Sequence, residues 1–421
     1  MNAAILTIGD EILIGQVINT NAAFLSKKLF REGIHVTRIL TVPDMEKDII
    51  AGIGDAFKSA GTVISTGGLG PTHDDITVKC ISKYFKKKLL FHEPTYKRIK
   101  AMFERRGLAV PENIDEQSMM PEGAEILSNT RGTAPGILIR SGNKVFCALP
   151  GVPHEMESMT IDSLLPRLRS YISKTGKRKF LMQKTLHTIG IAEALLSQKL
   201  GALDKILISS KDSSVKLAFL PSNYEVRLRI TVAANERKKA EQLMNSALKK
   251  IKTRVKNYIY SYDENPLEYE VGKLLIKRKL TVSAAESCTG GLVASKLTNV
   301  PGSSDYFIDG VVSYSYASKE NLLGVKPTTL IKFGAVSEQT AIEMAEGIRK
   351  TSKTDIGIST TGIAGPAGAT KTKPVGLVWI GYTDKKKSFA KSFIFTKDRL
   401  RNKEIMSKMA LEIIRREMLQ I

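Results

Sequence analysis

Residues 3–42 read AAILTIGDEILIGQVINTNAAFLSKKLFREGIHVTRILTV, and their periodicity decides the architecture of the first part of the chain. AAILTIG (3–9) is an apolar run of strand length. TNAAFLSKKLFREG (20–33) repeats its apolar residues at helical spacing, and IHVTRILTV (34–42) returns to strand. MEKDIIAGIGDAFKSA (45–60) then reads as helix and GTVIST (61–66) as strand. A βαβαβ order of this kind calls for a mostly parallel sheet with helices on its faces. Farther on, GILIR (136–140) and NKVFCALP (143–150) form a hairpin turning at 141–143, and GVPHEMESM (151–159) opens another helix.

From residue 171 the pattern changes. KFLMQKTLHTIG (179–190), SVKLAFLPS (214–222) and YEVRLRITVAA (224–234) read as strands, with a helix at 191–201 and a long one at 235–258, which is a small α+β arrangement. The helix at 265–280 and strand TVSAAES (281–287) begin a third α/β unit, with further strands near GVVSYSY, DIGIST and VGLVWIGYT. The expected domains are 1–170, 171–257 and 258–421, in keeping with 421 residues being more than one hydrophobic core usually serves.

The composition, 42% hydrophobic and 25% charged, is that of a soluble globular protein, and no apolar run approaches the roughly 20 residues that span a bilayer. The start MNAAILTIGDEIL has no basic segment before its apolar run, so it reads as a first strand and the expected location is cytoplasmic. Three widely spaced cysteines, Cys80, Cys147 and Cys288, suit neither a disulfide framework nor a metal knuckle. The net charge of +22 favours phosphorylated partners. The basic clusters carry no interleaved aromatics, however, and read as solvated faces.

Two stretches carry chemistry. In SAAESCTGGLVAS (283–295), Ser287, Cys288 and Thr289 stand between a strand and a glycine pair that turns the chain into a helix. All five histidines precede residue 188, so a nucleophile in this third unit has no local imidazole base. Lys319 follows an apolar strand and falls in the first turn of the next helix, whose positive end would lower its pKa and let it act as base. Ser287, at the exposed elbow, would lie near backbone N–H groups able to hold an oxyanion. The plainer reading is that the three residues cap a helix. In GGLGPTHDDIT (67–77) the glycines after a strand let the backbone approach a phosphate, and paired Asp74 and Asp75 beside it call for a divalent cation. Capping of the helix that starts near Ile76 accounts for one aspartate better than for two.

The motifs AAESCTGGLVASKLTNVPGSSDYF, VVSYSYASKENLLGV, GAVSE and TTGIAGPAGATKTKPVGLVW together resemble the C-terminal domain of the CinA (competence/damage-inducible protein A) family, a nicotinamide mononucleotide deamidase. The resemblance implies Ser287 as nucleophile and Lys319 as base. It also implies Tyr314 assisting them, Thr361 and Gly362 lining the amide site, and Arg399 on the substrate phosphate, with no cofactor for this reaction. Tyr316 and Ser318 stand where family members often carry Asn and Glu, and Gly368–Ala369 where a glycine pair is common. TIGDEILIGQVINTNAAFLSKKL, STGGLGPTHDDIT, NTRGTAPG and ALPGVPHEM resemble the family's N-terminal domain, related to molybdopterin-binding proteins and carrying a metal-dependent ADP-ribose pyrophosphatase. That implies a divalent metal ion on Asp10, Glu11, Asp74 and Asp75, with Glu155 a further candidate, and phosphate cradled by Gly67, Gly68 and Gly70. The middle segment is similar to the family's KH-like domain, but HTIGIAEALL lacks the GXXG loop that clamps a nucleic-acid backbone, so it reads as a connector. The expected partners are therefore small nucleotides, nicotinamide mononucleotide and ADP-ribose, in a homodimeric cytoplasmic enzyme with neither membrane nor nucleic acid as partner. Two other readings stand beside it: an amidase whose N-terminal domain only binds a pterin or nucleotide, and a nucleic-acid-associated competence or repair factor.

Overall fold

The computed structural model describes residues 1–72, 75–111, 113–175, 180–203, 206–210, 212–222 and 224–421. They form two compact units, one of residues 1–182 with 233–241 and the other of 183–232 with 242–421.

In the first unit, strands β1 (Asn2–Ile8), β2 (His35–Val42) and β3 (Thr62–Thr66) fall where the opening stretch places them. A short pair follows, β4 (Leu89–Phe91) with β5 (Met119–Pro121), and then β6 (Glu125–Leu127), β7 (Gly136–Ser141) and β8 (Lys144–Leu149). The main sheet runs β2-β1-β3-β8-β7-β6. The first four strands are parallel and β7 pairs antiparallel with both β8 and β6, the hairpin closing with Ser141 opposite Lys144. Alternate residues of β1 face opposite cores, as a strand requires. Ala3 and Ile5 pack with Leu25, Leu29 and Met156, while Ala4 and Leu6 pack with Ile49, Ile53 and Ile81. Helices on both faces make the unit three-layered, as expected. The carboxyl ends of β1, β2 and β3 meet at one edge, the place where open α/β sheets bind ligands.

In the second unit, β9 (Phe180–Ile189), β10 (Ile208–Ser209), β11 (Ser213–Ser222), β12 (Glu225–Ala234) and β13 (Ile259–Ser261) give a sheet ordered β10-β11-β12-β9-β13. A second sheet is built from β14 (Val282–Glu286), β15 (Phe307–Val312), β16 (Ile356–Gly362), β17 (Leu377–Thr383) and β18 (Ser388–Ile394), ordered β15-β14-β16-β17-β18. Its β15, β14 and β16 are parallel, whereas β17 pairs antiparallel with both β16 and β18. Ala284 faces a core with helix Arg399–Leu419, and Ala285 faces one with helix Glu338–Ser352. The strand expected near GVVSYSY ends at Val312. Ser315 accepts a hydrogen bond from the Ser318 N–H and so caps a helix over Tyr316–Leu323. Strand β18, SFAKSFI, was not expected from the sequence, because its alternation is only half apolar at an exposed edge.

Candidate active site

Parallel strands β14 and β16 end side by side, and the chain leaves β14 at Ser287, whose N–H donates to the Thr360 carbonyl at 2.9 Å. Gly290 (φ 60°) and Gly291 (φ 91°) then turn it into helix Leu292–Thr298. Residues 287–289 do not cap this helix. The Glu286 carboxylate, 1% exposed, accepts from the Val293 and Ala294 N–H groups at 3.0 and 2.8 Å. The Thr289 hydroxyl is engaged with the Thr360 hydroxyl at 2.6 Å. Ser287 is thus left as the functional group of the elbow, and at 9% exposure it lies at a pocket floor rather than on the surface expected for it.

Lys319 reaches that floor from helix Tyr316–Leu323. It is fully buried, and its Nζ stands 3.2 Å from Ser287 Oγ, 2.7 Å from the Ser313 carbonyl and 3.2 Å from the Tyr314 carbonyl. Among the described residues no carboxylate is paired with it. Desolvation on burial lowers its pKa, and this, rather than the helix end invoked from the sequence, is the leading cause. Burial has the opposite effect on the neighbouring Cys288 thiol, which is pushed up to about 12 and stays protonated at neutral pH. The Ser313 hydroxyl beside this lysine is buried without a partner.

The pocket of about 250 Å³ gathers Ser287, Lys319, Tyr314, Thr361, Gly362 and Arg399. Every residue singled out for the C-terminal site is therefore in one place. Thr361 Oγ1 donates to the Ala335 carbonyl at 2.6 Å, fixing the opposite wall. At Gly362 a β-carbon would lie 2.5 Å from the Leu377 carbonyl oxygen, so the strand approaches too closely for any side chain. Arg399 donates to the Gly365 carbonyl at 2.9 Å and to the Tyr314 hydroxyl at 3.3 Å. Tyr314 thus divides its duties, with the backbone oxygen on Lys319 and the phenol on Arg399. The Gly365 carbonyl and the Glu286 cap were missed in the sequence, although an acidic residue closing an apolar strand just before a glycine pair is a readable signal for the second.

The N-terminal candidates gather less completely. Gly67 (φ 108°) and Gly68 (φ 64°) bring the loop against β1 and helix Thr77–Phe85. Added β-carbons there would lie 2.1 Å from the Ile8 carbonyl oxygen and 2.1 Å from Thr77 Oγ1. Next to this loop the Ser65, Thr66 and Thr77 hydroxyls are buried without partners among the described residues. Asp75 turns back on its own loop, accepting from the Thr72 N–H at 2.9 Å and from the Thr72 hydroxyl at 2.5 Å. Asp10 and Glu11 open a one-turn helix, and Asp44, unnoticed in the sequence, accepts from the Asp10 N–H at 3.1 Å. Burial, and then the charges of Asp10, Glu11 and Asp75, raise the Asp44 pKa. Asp74 lies outside the described residues. Among those described, no three His, Cys, Asp or Glu side chains gather closely enough to hold a metal ion, so the donor set present does not by itself fit the expected cation. Glu155 lies elsewhere in the fold than the glycine loop's own contacts, under Gly132, where it accepts from Asn129 Nδ2 at 2.6 Å.

The same segments match three family models: a probable molybdopterin binding domain over residues 4–170, the damage-inducible protein CinA KH domain over 183–261, and the CinA C-terminal domain over 264–418. A CinA-like protein of Chloroherpeton thalassium is 44% identical over 423 residues, 99% of each chain. The chain belongs to the CinA family. A putative competence-damage inducible protein of Clostridium tetani is 43% identical over the full length of both chains. Of solved structures, the competence/damage inducible protein CihA from Agrobacterium tumefaciens is 36% identical, over 36% of this chain and 94% of that one, with a TM-score of 0.34. The CinA and molybdopterin-binding types of domain mark the family as enzymatic. No helix among the described residues is long and apolar enough to cross a membrane.

Proposed function

We propose that this CinA-family chain hydrolyses the carboxamide of nicotinamide mononucleotide to nicotinate mononucleotide and ammonia, a step of pyridine-nucleotide salvage. The observation that carries the proposal is the buried Lys319 Nζ 3.2 Å from Ser287 Oγ, with no carboxylate among the described residues paired with it. A lysine kept neutral in this way accepts the Ser287 proton as Oγ attacks the carboxamide carbon. The same proton is returned to the departing nitrogen, ammonia leaves, and a nicotinoyl ester of Ser287 remains. Water, deprotonated by Lys319, then opens the ester and frees Ser287. Arg399, held in position by Gly365 and Tyr314, keeps guanidinium donors for the phosphate. Ammonia release from nicotinamide mononucleotide by the full chain, with the Ser287→Ala variant as control, tests this reading.

A second reading concerns the first unit and rests on a different observation, the Ser65, Thr66 and Thr77 hydroxyls, buried without a partner among the described residues beside a glycine loop that admits no side chain. Such groups suit a pyrophosphate, and we infer ADP-ribose as the substrate cleaved there, with a divalent cation as the expected cofactor and a homodimer as the expected assembly. The carboxylates near the loop, Asp10, Glu11, Asp44 and Asp75, do not gather closely enough to hold a cation by themselves, so a cation there would need oxygen donors from the pyrophosphate as well. Turnover of ADP-ribose with and without chelator separates this from a domain that only binds a pterin or nucleotide.

A further inference from the structure

The deamidase pocket is not the largest opening in the second unit. A cavity of about 1040 Å³ lies between the β9–β13 sheet with its helix and the start of helix Arg399–Leu419. Its lining includes Tyr224, Tyr258, Lys199, Arg401, Glu193 and Glu225. Four features set its chemistry. Tyr224 is 45% exposed at the two-residue turn between β11 and β12, where at φ 70° it takes the left-handed backbone that such turns require, so the turn presents its ring to the cavity. The Tyr258 ring is flanked by the cations of Lys199 and Arg416, 5.8 and 5.5 Å from its centre. Arg401 has no ion-pair partner among the described residues. Glu225 is already neutralised by Lys408 at 3.1 Å, which leaves Glu193 as the one lining carboxylate without such a partner and cations in excess.

An exposed aromatic ring with unpaired cations around it fits a ligand that is itself an aromatic ring bearing an anion. No described residue lines both this cavity and the deamidase pocket, but a chain of contacts joins them. Tyr224 meets Phe395 edge-on at 5.0 Å. The next residue, Thr396, donates through its hydroxyl to Asn402 Oδ1 at 2.8 Å, and Asn402 Nδ2 donates to the carbonyl of Ala364, a residue of the pocket wall, at 3.0 Å. Arg401 follows Arg399 by two residues in the same helical turn, fixed through its N–H to Asp398 at 2.7 Å.

We propose that this cavity is a second nucleotide site, with the base against Tyr224 and the phosphate met by Lys199 and Arg401, and that its occupation steadies the turn carrying Arg399. The second half rests on the deamidase reading; the first does not. The test is calorimetric titration of the full chain with AMP, on wild type, Lys199→Glu and Tyr224→Gly. Wild type should show a binding component that Lys199→Glu lacks. Tyr224→Gly should weaken that component while the protein stays folded, because glycine takes the left-handed backbone freely and offsets part of the lost Phe395 contact. Superimposable isotherms for all three proteins would overturn the site. Saturating AMP should also lower KM for nicotinamide mononucleotide about fivefold, a coupling at the low end of common values, and should not do so in Lys199→Glu. An unchanged KM overturns the coupling while the site stands. A KM change that persists in Lys199→Glu places AMP in the deamidase pocket and overturns the proposal. Absence of any ammonia release is a failure of the deamidase reading and leaves the AMP isotherms to decide the site.

Discussion

The two sites of this molecule are assembled in different ways. In the C-terminal pocket two of the candidate groups are already in contact, a serine at a strand end and a buried lysine at 3.2 Å, and an arginine is tied to the pocket wall. Around the glycine loop of the first unit, by contrast, the backbone is shaped and the hydroxyls are bare, but the carboxylates repel one another at Asp44 and Asp75 is turned onto Thr72. A nucleophile and its base attract, so the chain can build that pair without help. Carboxylates of like charge do not attract one another, and no three of the described ones gather into a closed set.

Variants sharpen the contrast, beginning with the largest effect. Lys319→Arg should abolish deamidation, by at least about 10² to 10⁴-fold, since a guanidinium keeps its proton and cannot serve as base. Ammonia release measures it, and activity within tenfold of wild type would show that another group takes the proton. In the wild type, kcat should rise with pH as the lysine loses its proton, at a pH below the ordinary lysine value because burial depresses the pKa. A flat profile across that range would contradict a lysine base.

Next, excess chelator and Asp75→Asn should each remove most ADP-ribose cleavage while leaving deamidation within about tenfold, a barrier change near 1.4 kcal/mol. Loss of both activities in folded Asp75→Asn protein would join the two sites and break the comparison. Arg399→Ala should raise KM for nicotinamide mononucleotide by roughly tenfold or more with a smaller change in kcat, as expected for a phosphate contact made alike in ground and transition states. The smallest effect concerns stability. Glu286→Ala leaves the Val293 and Ala294 N–H groups without their cap and should cost on the order of 1 to 2 kcal/mol in denaturant unfolding.

What the sequence disclosed follows the same divide. Strands β1 to β3 were legible because each is a short apolar run between helices of clear period, and local pattern sets such elements. Ser287 and Lys319 were legible partly by elimination, since no histidine follows His187. The burial of both residues was not legible, because it depends on β14 and β16 ending side by side, a pairing of segments about 70 residues apart. That burial reverses two local expectations. Ser287 lies at the pocket floor, and the Lys319 pKa falls through desolvation first. Asp44 escaped notice for a similar reason. It follows β2, and only the parallel register of β2 against β1 brings it to Asp10.

The central claim is that Ser287, and not the thiol next to it, attacks the carboxamide. Rapid quenching of the full-length enzyme during turnover of nicotinamide mononucleotide, followed by peptide mass mapping, tests it most directly. The predicted result is a nicotinoyl-nucleotide ester on Ser287 that persists in Cys288→Ala and is absent from Ser287→Ala, together with loss of ammonia release by about 10³-fold or more in the latter. An adduct on Cys288, with near-normal ammonia release from Ser287→Ala, would contradict the account.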